Sequence, residues 1–465
     1  MNEVIMYSSE YIEKYKISDS GYFFSGAYSY ASGERALLFN NQRGTSVLLN
    51  ASLLQQIKEG VISEALQFKL MQRGFIDENA VAGQIEEAKE HISPIYFMID
   101  LTTLCNLSCR YCFRKHDNNE QVIVSVEIFD RILEYIKGYC FANHIGSIVI
   151  QPWGGEPLIV WDKIVYIYEY FSQTSINVKI QVETNAVLLT EAIVKEASIK
   201  NIEFSVSLDG GAFIHNSQRP LKKGGGSYDD VMRGLALLNK PVGIVAVCTH
   251  YTYEHLEEVL SFFQSELQLG RIKLNIVKDN PNIESCALCF QPEEIPVFER
   301  KLLETIVEMA ENGHPITESN IVSRLHNLLD GRASNFCHSR GCQAGNFFLS
   351  FDRFGNITPC DLTDFEDLRF SSVYDDPALL PQRVLVFKSH NAFFKIESDE
   401  CPVCQWYFFC RGGCPAARKY KKQVRKKDEV ECIRNRILYP LLIQLILEKP
   451  HLIGMLTNQE LTIVE

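Results

Sequence analysis

Between residues 95 and 278, short apolar segments alternate with longer amphipathic ones, and this alternation constrains the fold most. The apolar segments predict strands at 95–103, 147–153, 179–185, 202–210, 242–250 and 272–278. Helices are predicted between them, at 126–139, 162–173, 190–200, 227–240 and 255–267. Strands that alternate with helices of this length form βα units and a parallel sheet. The sequence therefore predicts an α/β fold, an open or partial (β/α)6 barrel, with ligands at the carboxyl ends of its strands.

The alternation is absent on both sides of this central segment. Residues 1–93 contain no cysteine and predict a small separate α/β domain, with strands at 21–30 and 34–41 and helices at 46–60 and 62–76. Residues 301–335 predict a bridging helical segment. Periodicity fades and cysteines accumulate in residues 336–465. We therefore expect four parts, which end at residues 93, 300, 335 and 465.

Composition and charge exclude several classes of protein. With 46% hydrophobic and 22% charged residues, the chain has the composition of a globular protein. Its net charge of −12 argues against a nucleic-acid binder, which needs a basic surface. We find no signal peptide and no apolar run long enough to span a membrane, so we expect a cytoplasmic protein. In that compartment, clustered thiols among the 15 cysteines more often bind metal than form disulfides.

The first cysteine cluster directly follows the first predicted strand. Cys105, Cys109 and Cys112 have the spacing C-x3-C-x2-C, so three thiolates can converge on one metal centre. A structural zinc normally has four ligands, and His116 is the nearest candidate for the fourth. An iron–sulfur cluster held by three cysteines keeps one iron open. We therefore prefer an iron–sulfur cluster and keep zinc as the alternative.

With Tyr111 before its third cysteine, this motif resembles that of the radical S-adenosylmethionine (radical SAM) superfamily. The segments WGGEP, ETNA, SVSLDG and HNSQR follow later strands in the order that the family shows, although Ala186 replaces the usual glycine of the second segment. The resemblance implies that these segments bind SAM through Gly154, Gly155, Glu156, Pro157, Thr184, Asn185, Ser205, Ser207, Asp209 and Arg219. Helix caps and turns are the alternative role for such residues.

The resemblance also implies a chemistry. A [4Fe–4S] cluster would bind SAM at its open iron. One electron, from a donor such as flavodoxin or ferredoxin, would then cleave SAM to methionine and a 5′-deoxyadenosyl radical that abstracts a hydrogen atom from the substrate. The cofactor would carry the difficult chemistry, and the protein would orient it and exclude water.

Eight cysteines of the C-terminal part resemble the SPASM extension of radical SAM enzymes that modify peptides and proteins. By this resemblance, one auxiliary [4Fe–4S] cluster is held by Cys337, Cys342, Cys360 and Cys414. A second is held by Cys401, Cys404, Cys410 and Cys432, so that three clusters are expected in all. The spacing alone does not pair these cysteines, and two structural zinc ions are the alternative.

Asp361 and four remaining cysteines complete the candidates. Asp361 resembles a carboxylate of anaerobic sulfatase-maturating enzymes that serves as a base toward the substrate, and a helix cap is its alternative role. Cys140 and Cys248 are expected to be buried apolar residues. Cys286 and Cys289 form a C-x2-C pair in a loop, which is either a redox pair or incidental.

The SPASM resemblance covers residues 94–435 and implies a peptide or protein substrate. The preceding residues have the size of a small domain that captures a leader peptide as an added strand. The leading hypothesis is a maturase that forms a thioether or carbon–carbon cross-link in a ribosomally synthesised precursor peptide. The alternatives are formylglycine formation in a sulfatase, peptide epimerisation, and a non-catalytic zinc or iron–sulfur protein.

Overall fold

Three consecutive groups of elements make up the described structure. The computed structural model describes the whole chain except residues 1–8, 14, 18–21, 41–43, 78–92, 115–121, 239, 241, 268–270, 279–287, 330–336, 338–340, 364, 423–424 and 458–465. His116 and Cys286 lie outside the described residues.

The N-terminal group contains two small antiparallel sheets and two helices. Its elements are β1 (Glu10–Ile12), β2 (Tyr15–Ile17), β3 (Tyr22–Phe24), β4 (Ala27–Ser32), β5 (Arg35–Asn40), β6 (Thr45–Asn50), α1 (Ala51–Lys58), α2 (Glu64–Gln72) and β7 (Ile76–Asp77). The strand orders are β1-β4-β5-β6 and β2-β3-β7. Both helices cover an apolar core that includes Leu38, Leu54 and Leu70.

Two of the predicted helix bounds in this group are wrong. The helix expected from residue 46 begins only at Ala51, because the buried segment before it pairs with β5 as a strand. The helix expected to reach residue 76 ends at Gln72, and β7 then pairs with β3. In both places, long-range pairing overrides a short apolar pattern that fits either a helix or a strand.

The central group confirms the predicted α/β architecture and all six of its strands. These are β8 (Tyr96–Thr102), β9 (Ser147–Gly154), β10 (Asn177–Thr184), β11 (Ile202–Ser207), β12 (Gly243–Cys248) and β13 (Arg271–Ile276), followed by β14 (Thr317–Glu318). Each pairs in parallel with its neighbour. Their carboxyl ends, where the conspicuous motifs lie, therefore share one edge of the sheet.

Helices of the central group cover the apolar side of this sheet. They are α3 (Val126–Ala142), α4 (Trp161–Ser172), α5 (Glu191–Ile199), α6 (Ala212–Gln218), α7 (Tyr228–Ala236), α8 (His250–Glu254), α9 (Leu256–Ser265), α10 (Glu294–Glu311) and α11 (Ser319–Leu329). Side-chain caps fix their starts: Ser125 accepts from the amide of Ile128 at 3.2 Å, and Thr190 accepts from that of Ile193 at 3.3 Å.

The C-terminal group extends the central sheet beyond β8. It contains β15 (Phe348–Phe351), β16 (Asn356–Thr358), β17 (Ser371–Ser372), α12 (Leu380–His390), α13 (Tyr407–Cys410), α14 (Pro415–Tyr420), α15 (Glu429–Glu448) and α16 (Pro450–Thr457). β15 is parallel to β8, and β16 and β17 continue antiparallel. The resulting sheet has ten strands. The sequence did not predict these strands, which are too short to show a period.

Aromatic side chains join the N-terminal and C-terminal groups. The ring of Trp406 stacks on Tyr439, with centroids 4.9 Å apart. Tyr30 and Phe39 also stack on Trp406, with centroids 6.4 and 5.8 Å from it. Within the described part of the chain, no single helix is long and apolar enough to cross a membrane. Together α15 and α16, which meet at a bend of 115°, satisfy the criteria of length and composition.

Candidate active site

The first cysteine motif lies in the loop after β8, and backbone hydrogen bonds fix the path of this loop. This loop pairs with the end of α6 and with the residues that follow it. The amides of Ser108 and Arg110 donate to the carbonyls of Pro220 and Gln218, each at 2.9 Å, and the amide of Lys222 donates to Asn106 at 2.9 Å. This short antiparallel pairing holds the loop that carries the three cysteines against the carboxyl edge of the sheet.

The three thiols of this loop share one electrostatic environment. Cys105, Cys109 and Cys112 are all partly exposed. Burial, together with the neighbouring thiols, raises the pKa of Cys105 to about 11 and that of Cys109 to about 12. Several thiolates so close together repel one another and need a positive charge between them. A bound metal supplies this charge and so favours the deprotonated form of its ligands. The donor set therefore fits the iron–sulfur cluster that the sequence predicts.

Glu156 lies at the end of β9 and ties together two neighbouring strand ends. It is 1% exposed and accepts from the hydroxyl of Thr184 at 2.6 Å and from the amides of Asn185 and Leu158 at 2.9 and 3.0 Å. Burial raises its pKa, and these hydrogen bonds lower it. The structure thus brings Glu156, Thr184 and Asn185 together. Their part in binding SAM stays a prediction.

Gly154 and Gly155 allow the end of β9 to approach the cysteine loop. Gly154 has a φ of 140°, and a Cβ on either glycine would clash with the backbone oxygen of Thr102 or Leu104. The amides of Gly155 and Glu156 use this closeness to donate to those two oxygens at 2.8 Å. Side chains at these positions would push the loop away from the strand. Pro157 is buried and begins the helical turn that follows.

Asn185 connects the end of β10 to the cysteine loop. Its Nδ2 donates to Oδ1 of Asn106 at 2.8 Å, and its own Oδ1 accepts from the amide of Val187 at 3.1 Å. The next residue, Ala186, has a φ of 60°. This is the left-handed region that favours glycine, which explains physically why the family uses glycine where this chain has alanine.

Asp209 and Arg219 form a buried ion pair beside Cys109. The guanidinium donates to both carboxylate oxygens, at 3.0 and 3.1 Å, and its carbon lies 5.3 Å from the ring centroid of Tyr111. Tyr111 also donates to Asp209. The positive charge of Arg219 lowers the pKa of Cys109 against the effect of burial. These predicted SAM-binding residues thus also anchor the cysteine loop, because Tyr111 precedes Cys112.

His215 supports this ion pair from behind. It is fully buried, its Nδ1 accepts from the amide of Asp209 at 3.3 Å, and its Nε2 lies 3.0 Å from Oγ of Ser227. Burial lowers the pKa of His215 to about 4. Ser205 and Ser207 lie two residues apart on β11 and so point to one face of the sheet.

Electrostatic contacts link four C-terminal thiols, those of Cys337, Cys342, Cys360 and Cys414, which the family resemblance assigns to one auxiliary cluster. Cys342 and Cys360 are buried or half-buried, and burial raises the pKa of both, with further increases caused by the thiol of Cys414. Cys337 is exposed and interacts with the same thiol. Lys278, at the end of β13, donates to Sγ of Cys414 at 3.1 Å. One cation of the barrel thus contacts the first C-terminal group.

The second C-terminal group lines a single cavity. Cys401, Cys404, Cys410 and Cys432 face it together with Glu400, Tyr407, Gly412, Lys427 and Arg436. Burial raises the pKa of Cys410 to about 12, and the thiol of Cys432 adds to that effect. In the part of the chain that the structure describes, no three His, Cys, Asp or Glu side chains already stand in a geometry that could hold a metal ion. The thiols are therefore neighbours rather than closed coordination sites, and their assignment as ligands stays a prediction.

Asp361 is half-buried between the barrel edge and the first C-terminal group. It acts electrostatically on Cys360, Lys278 and Glu183. Burial raises the pKa of Glu183, which Lys273 lowers. The sequence analysis missed Lys273 and Lys278 because isolated lysines form no motif. Lys273 lies within β13 and Lys278 follows its carboxyl end by two residues, and for Lys278 that position was the available signal.

Three further cysteines, Cys140, Cys248 and Cys289, belong to the described residues. Cys140 and Cys248 are 1% and 0% exposed, and burial raises the pKa of both thiols. Cys289 is described and half-buried, whereas its predicted partner Cys286 is outside the described residues.

Comparison with known proteins assigns the central group. Residues 99–263, which include the cysteine loop and the motifs at four strand ends, match the model of the Radical SAM superfamily. The chain contains a radical SAM domain. It is homologous to the anaerobic sulfatase-maturating enzymes and is itself an enzyme. The radical SAM family implies a [4Fe–4S] cluster and SAM as cofactors.

Two curated relatives cover most of the chain. The chain is 23% identical over 333 residues to a cysteine-type anaerobic sulfatase-maturating enzyme of Clostridium perfringens, an alignment that covers 68% of this chain and 88% of the relative. It is 22% identical over 416 residues to the radical SAM cyclopropyl synthase TigE of Paramaledivibacter caminithermalis, which covers 82% of both chains.

A solved structure supports the fold. Native anSMEcpe with bound AdoMet and the Cp18Cys peptide superposes with a TM-score of 0.65 at 21% sequence identity, and the alignment covers 76% of this chain and 99% of that one. At this identity the likeness shows the fold alone.

Proposed function

We propose that this protein is a radical SAM peptide maturase that forms a thioether or carbon–carbon cross-link in a ribosomally synthesised precursor peptide. The observation that carries the proposal is the extent of the two alignments. The sulfatase-maturating relative aligns with 68% of the chain, whereas the cyclopropyl synthase, whose name describes the formation of a carbon ring, aligns with 82%. The longer alignment favours a bond-forming reaction on a peptide.

Three groups of thiols would hold the iron–sulfur clusters of this enzyme. The loop after β8 would hold the SAM-binding cluster through Cys105, Cys109 and Cys112, and the two C-terminal groups would hold auxiliary clusters. When bound, the first cluster and SAM supply a 5′-deoxyadenosyl radical. Arg219 beside Cys109 and Lys278 beside Cys414 place positive charge at two of these thiol groups, which stabilises thiolates there.

Asp361 would accept a proton from the substrate. Loss of a hydrogen atom followed by bond formation also releases one proton and one electron. A nearby carboxylate is a suitable acceptor for the proton, and an auxiliary iron–sulfur cluster would take the electron. Asp361 is half-buried, and Glu183 and Lys278 are its charged neighbours. These electrostatic contacts support a role for Asp361 between the end of β10, which carries Glu183, and the first auxiliary group, where a substrate side chain would be held.

The N-terminal group would recognise the leader part of the precursor. The sheet β1-β4-β5-β6 ends in β1, a strand of three residues in which Glu10 and Tyr11 are exposed. An exposed strand edge can accept a peptide as an added strand. Recognition away from the reaction site would let the enzyme act on a variable core sequence.

The experiment uses purified enzyme, reconstituted anaerobically with iron and sulfide, and a precursor peptide encoded beside the gene. With SAM and a reductant, we expect 5′-deoxyadenosine and a peptide that is lighter by the mass of two hydrogen atoms for each bond formed. Fragment spectra should fail to break the chain between the linked residues. An unchanged mass with inverted stereochemistry would replace this proposal with epimerisation, and an unmodified peptide would contradict it.

Formylglycine formation is the second candidate, and the position of Asp361 directly after Cys360 favours it. Sulfatase maturation oxidises one Cys or Ser and forms no cross-link. Incubation with a peptide containing a sulfatase motif would then yield an aldehyde that a hydrazine probe captures. A cross-linked precursor without aldehyde excludes this candidate.

A further inference from the structure

Three exposed cations surround the loop of the first cysteine motif. Arg110 lies within the motif, and Lys222 and Lys223 lie on the segment that pairs with it. The backbone bonds from Ser108, Arg110 and Lys222 hold the two segments side by side. Among the described residues, none of the three cations has a recorded ion pair. Their charge therefore faces solvent rather than a carboxylate of the chain.

This positive surface contrasts with the rest of the molecule. The chain carries 46 Lys and Arg against 58 Asp and Glu. A local patch of one sign on a protein of the other sign steers a complementary partner to that place. The partner that fits best is therefore acidic.

The second cysteine cavity makes a useful contrast because its cations are already neutralised. Lys427 and Arg436 line it, and both form ion pairs with Glu400, Arg436 at 3.2 Å. Basic side chains thus occur at two thiol groups. Those of the second C-terminal group pair with Glu400, whereas among the described residues no carboxylate pairs with those at the first motif. The first motif is consequently the better site for an acidic partner.

The position of the patch indicates what this partner delivers. Cys105, Cys109 and Cys112 are partly exposed, so the edge of the loop is a short path from solvent to the thiols. Electron transfer between proteins becomes faster as the distance between redox groups shortens. An electron carrier that docks on the loop would thus be near the cluster that the proposed function places there.

We propose that Arg110, Lys222 and Lys223 form the docking surface for an acidic one-electron donor protein of the flavodoxin or ferredoxin class. The inference rests on the proposed function of the cysteine loop. In this step the donor is oxidised by one electron and the cluster is reduced by one electron, and no bond forms or breaks between the proteins.

The test compares two double variants with the same net charge. Lys222→Glu/Lys223→Glu reverses the patch, and Arg73→Glu/Lys195→Glu reverses two exposed cations at the end of α2 and on α5. SAM cleavage is measured with fully reduced flavodoxin as the donor, over a range of salt concentrations, and in parallel with a small photoreduced deazaflavin. We expect the patch variant to lose about 10- to 100-fold in rate with flavodoxin at low salt. The control should match the wild type.

The salt dependence separates docking from other effects. The loss should shrink as ionic strength rises above about 0.1 M, where surface charges are screened. Equal rates for both variants with flavodoxin would overturn the inference. SAM cleavage with deazaflavin as the reductant would then still support the proposed function. A raised KM for the precursor peptide alone would instead make the patch a peptide-binding surface and would also overturn it. Failure of the wild type to cleave SAM with either reductant would refute the proposed function itself.

Discussion

The barrel and the C-terminal group hold their cysteines in different ways. The three cysteines of the barrel lie within eight residues, on a loop fixed by backbone bonds, by the Asn106–Asn185 contact and by the Asp209–Arg219 pair. The C-terminal cysteines come from residues 337–432 and lie mostly in turns and loops, with Cys410 in α13 and Cys432 in the first turn of α15. Hydrogen bonds order the first site without metal, whereas we expect the second region to depend on bound iron for its order.

The barrel loop and the C-terminal group are therefore suited to different functions. A preorganised polar network at strand ends suits one repeated reaction, the binding and cleavage of a fixed cofactor. A cysteine-rich extension built from loops can vary around that constant centre, as binding and catalytic loops on a rigid scaffold do.

We expect the largest effect from replacing one cysteine in each region. Cys109→Ala should reduce SAM cleavage to background, because three ligands are the minimum for the open cluster. Cys432→Ala should retain SAM cleavage but abolish peptide modification. Liquid chromatography of 5′-deoxyadenosine and mass spectrometry of the peptide provide both readouts. Loss of SAM cleavage in both variants, with intact iron at the first site, would break the contrast.

Asp361→Asn tests the junction between the regions. Loss of a general base typically costs about 10²- to 10⁴-fold in rate, so product should fall by that factor. SAM cleavage should continue, because Asp361 lies outside the network of the cysteine loop. The ratio of 5′-deoxyadenosine to modified peptide measures this uncoupling. A Glu variant that recovers part of the activity would support proton transfer, and a normal ratio in the Asn variant would refute it.

Arg219→Met tests how strongly the barrel network is preorganised. It would leave the buried carboxylate of Asp209 without its cation, a change that typically costs about 3–5 kcal/mol. Urea unfolding of the iron-free protein measures the loss, with Arg73→Met at the exposed end of α2 as control. A loss below about 1 kcal/mol would mean that the ion pair is not part of a stable network.

His215 gives the same network a pH signature. Its pKa is about 4 in the folded state and near 6.5 when unfolded, so the unfolded chain binds the extra proton first. Stability should therefore fall by about 3 kcal/mol as the pH decreases from 6.5 to 4. His215→Gln should remove this slope. Urea unfolding across that range tests it, and identical slopes in both proteins would contradict the assignment.

Removal of iron tests the smallest expected difference. In the iron-free protein, amide hydrogen exchange in 397–422 should accelerate by about tenfold or more, because bound metal and folding are coupled there. Exchange in 96–112 should change less, since the hydrogen bonds of that loop remain. Equal acceleration in both segments would show that the barrel loop also depends on metal for its order.

Much of the barrel could be predicted from the sequence, because the residues that determine it lie close together along the chain. Six apolar strands, the cysteine loop and Glu156, Thr184, Asn185 and Asp209 all lie in contiguous motifs. The β15–β17 extension could not be read, since strands of two to four residues carry no usable period. The sequence predicts a helix over most of β6, because the short apolar pattern there fits either a helix or a strand. Pairing with β5 makes it a strand.

The candidate site shows the same division. Asp209 and Arg219 were predicted to contact SAM, and the structure adds that they pair with each other and hold Tyr111. Lys278 lies 136 residues from Cys414, and only the tertiary fold brings the two within 3.1 Å. The two C-terminal groups were assigned by family resemblance, because spacing alone permits many pairings.

We infer that this chain carries one SAM-binding and two auxiliary iron–sulfur clusters. The iron and zinc content of the anaerobically reconstituted protein measures this directly. We expect about twelve iron atoms per chain, which corresponds to three four-iron clusters, with negligible zinc. Two or three zinc ions without iron–sulfur absorbance, or about four iron atoms alone, would contradict it.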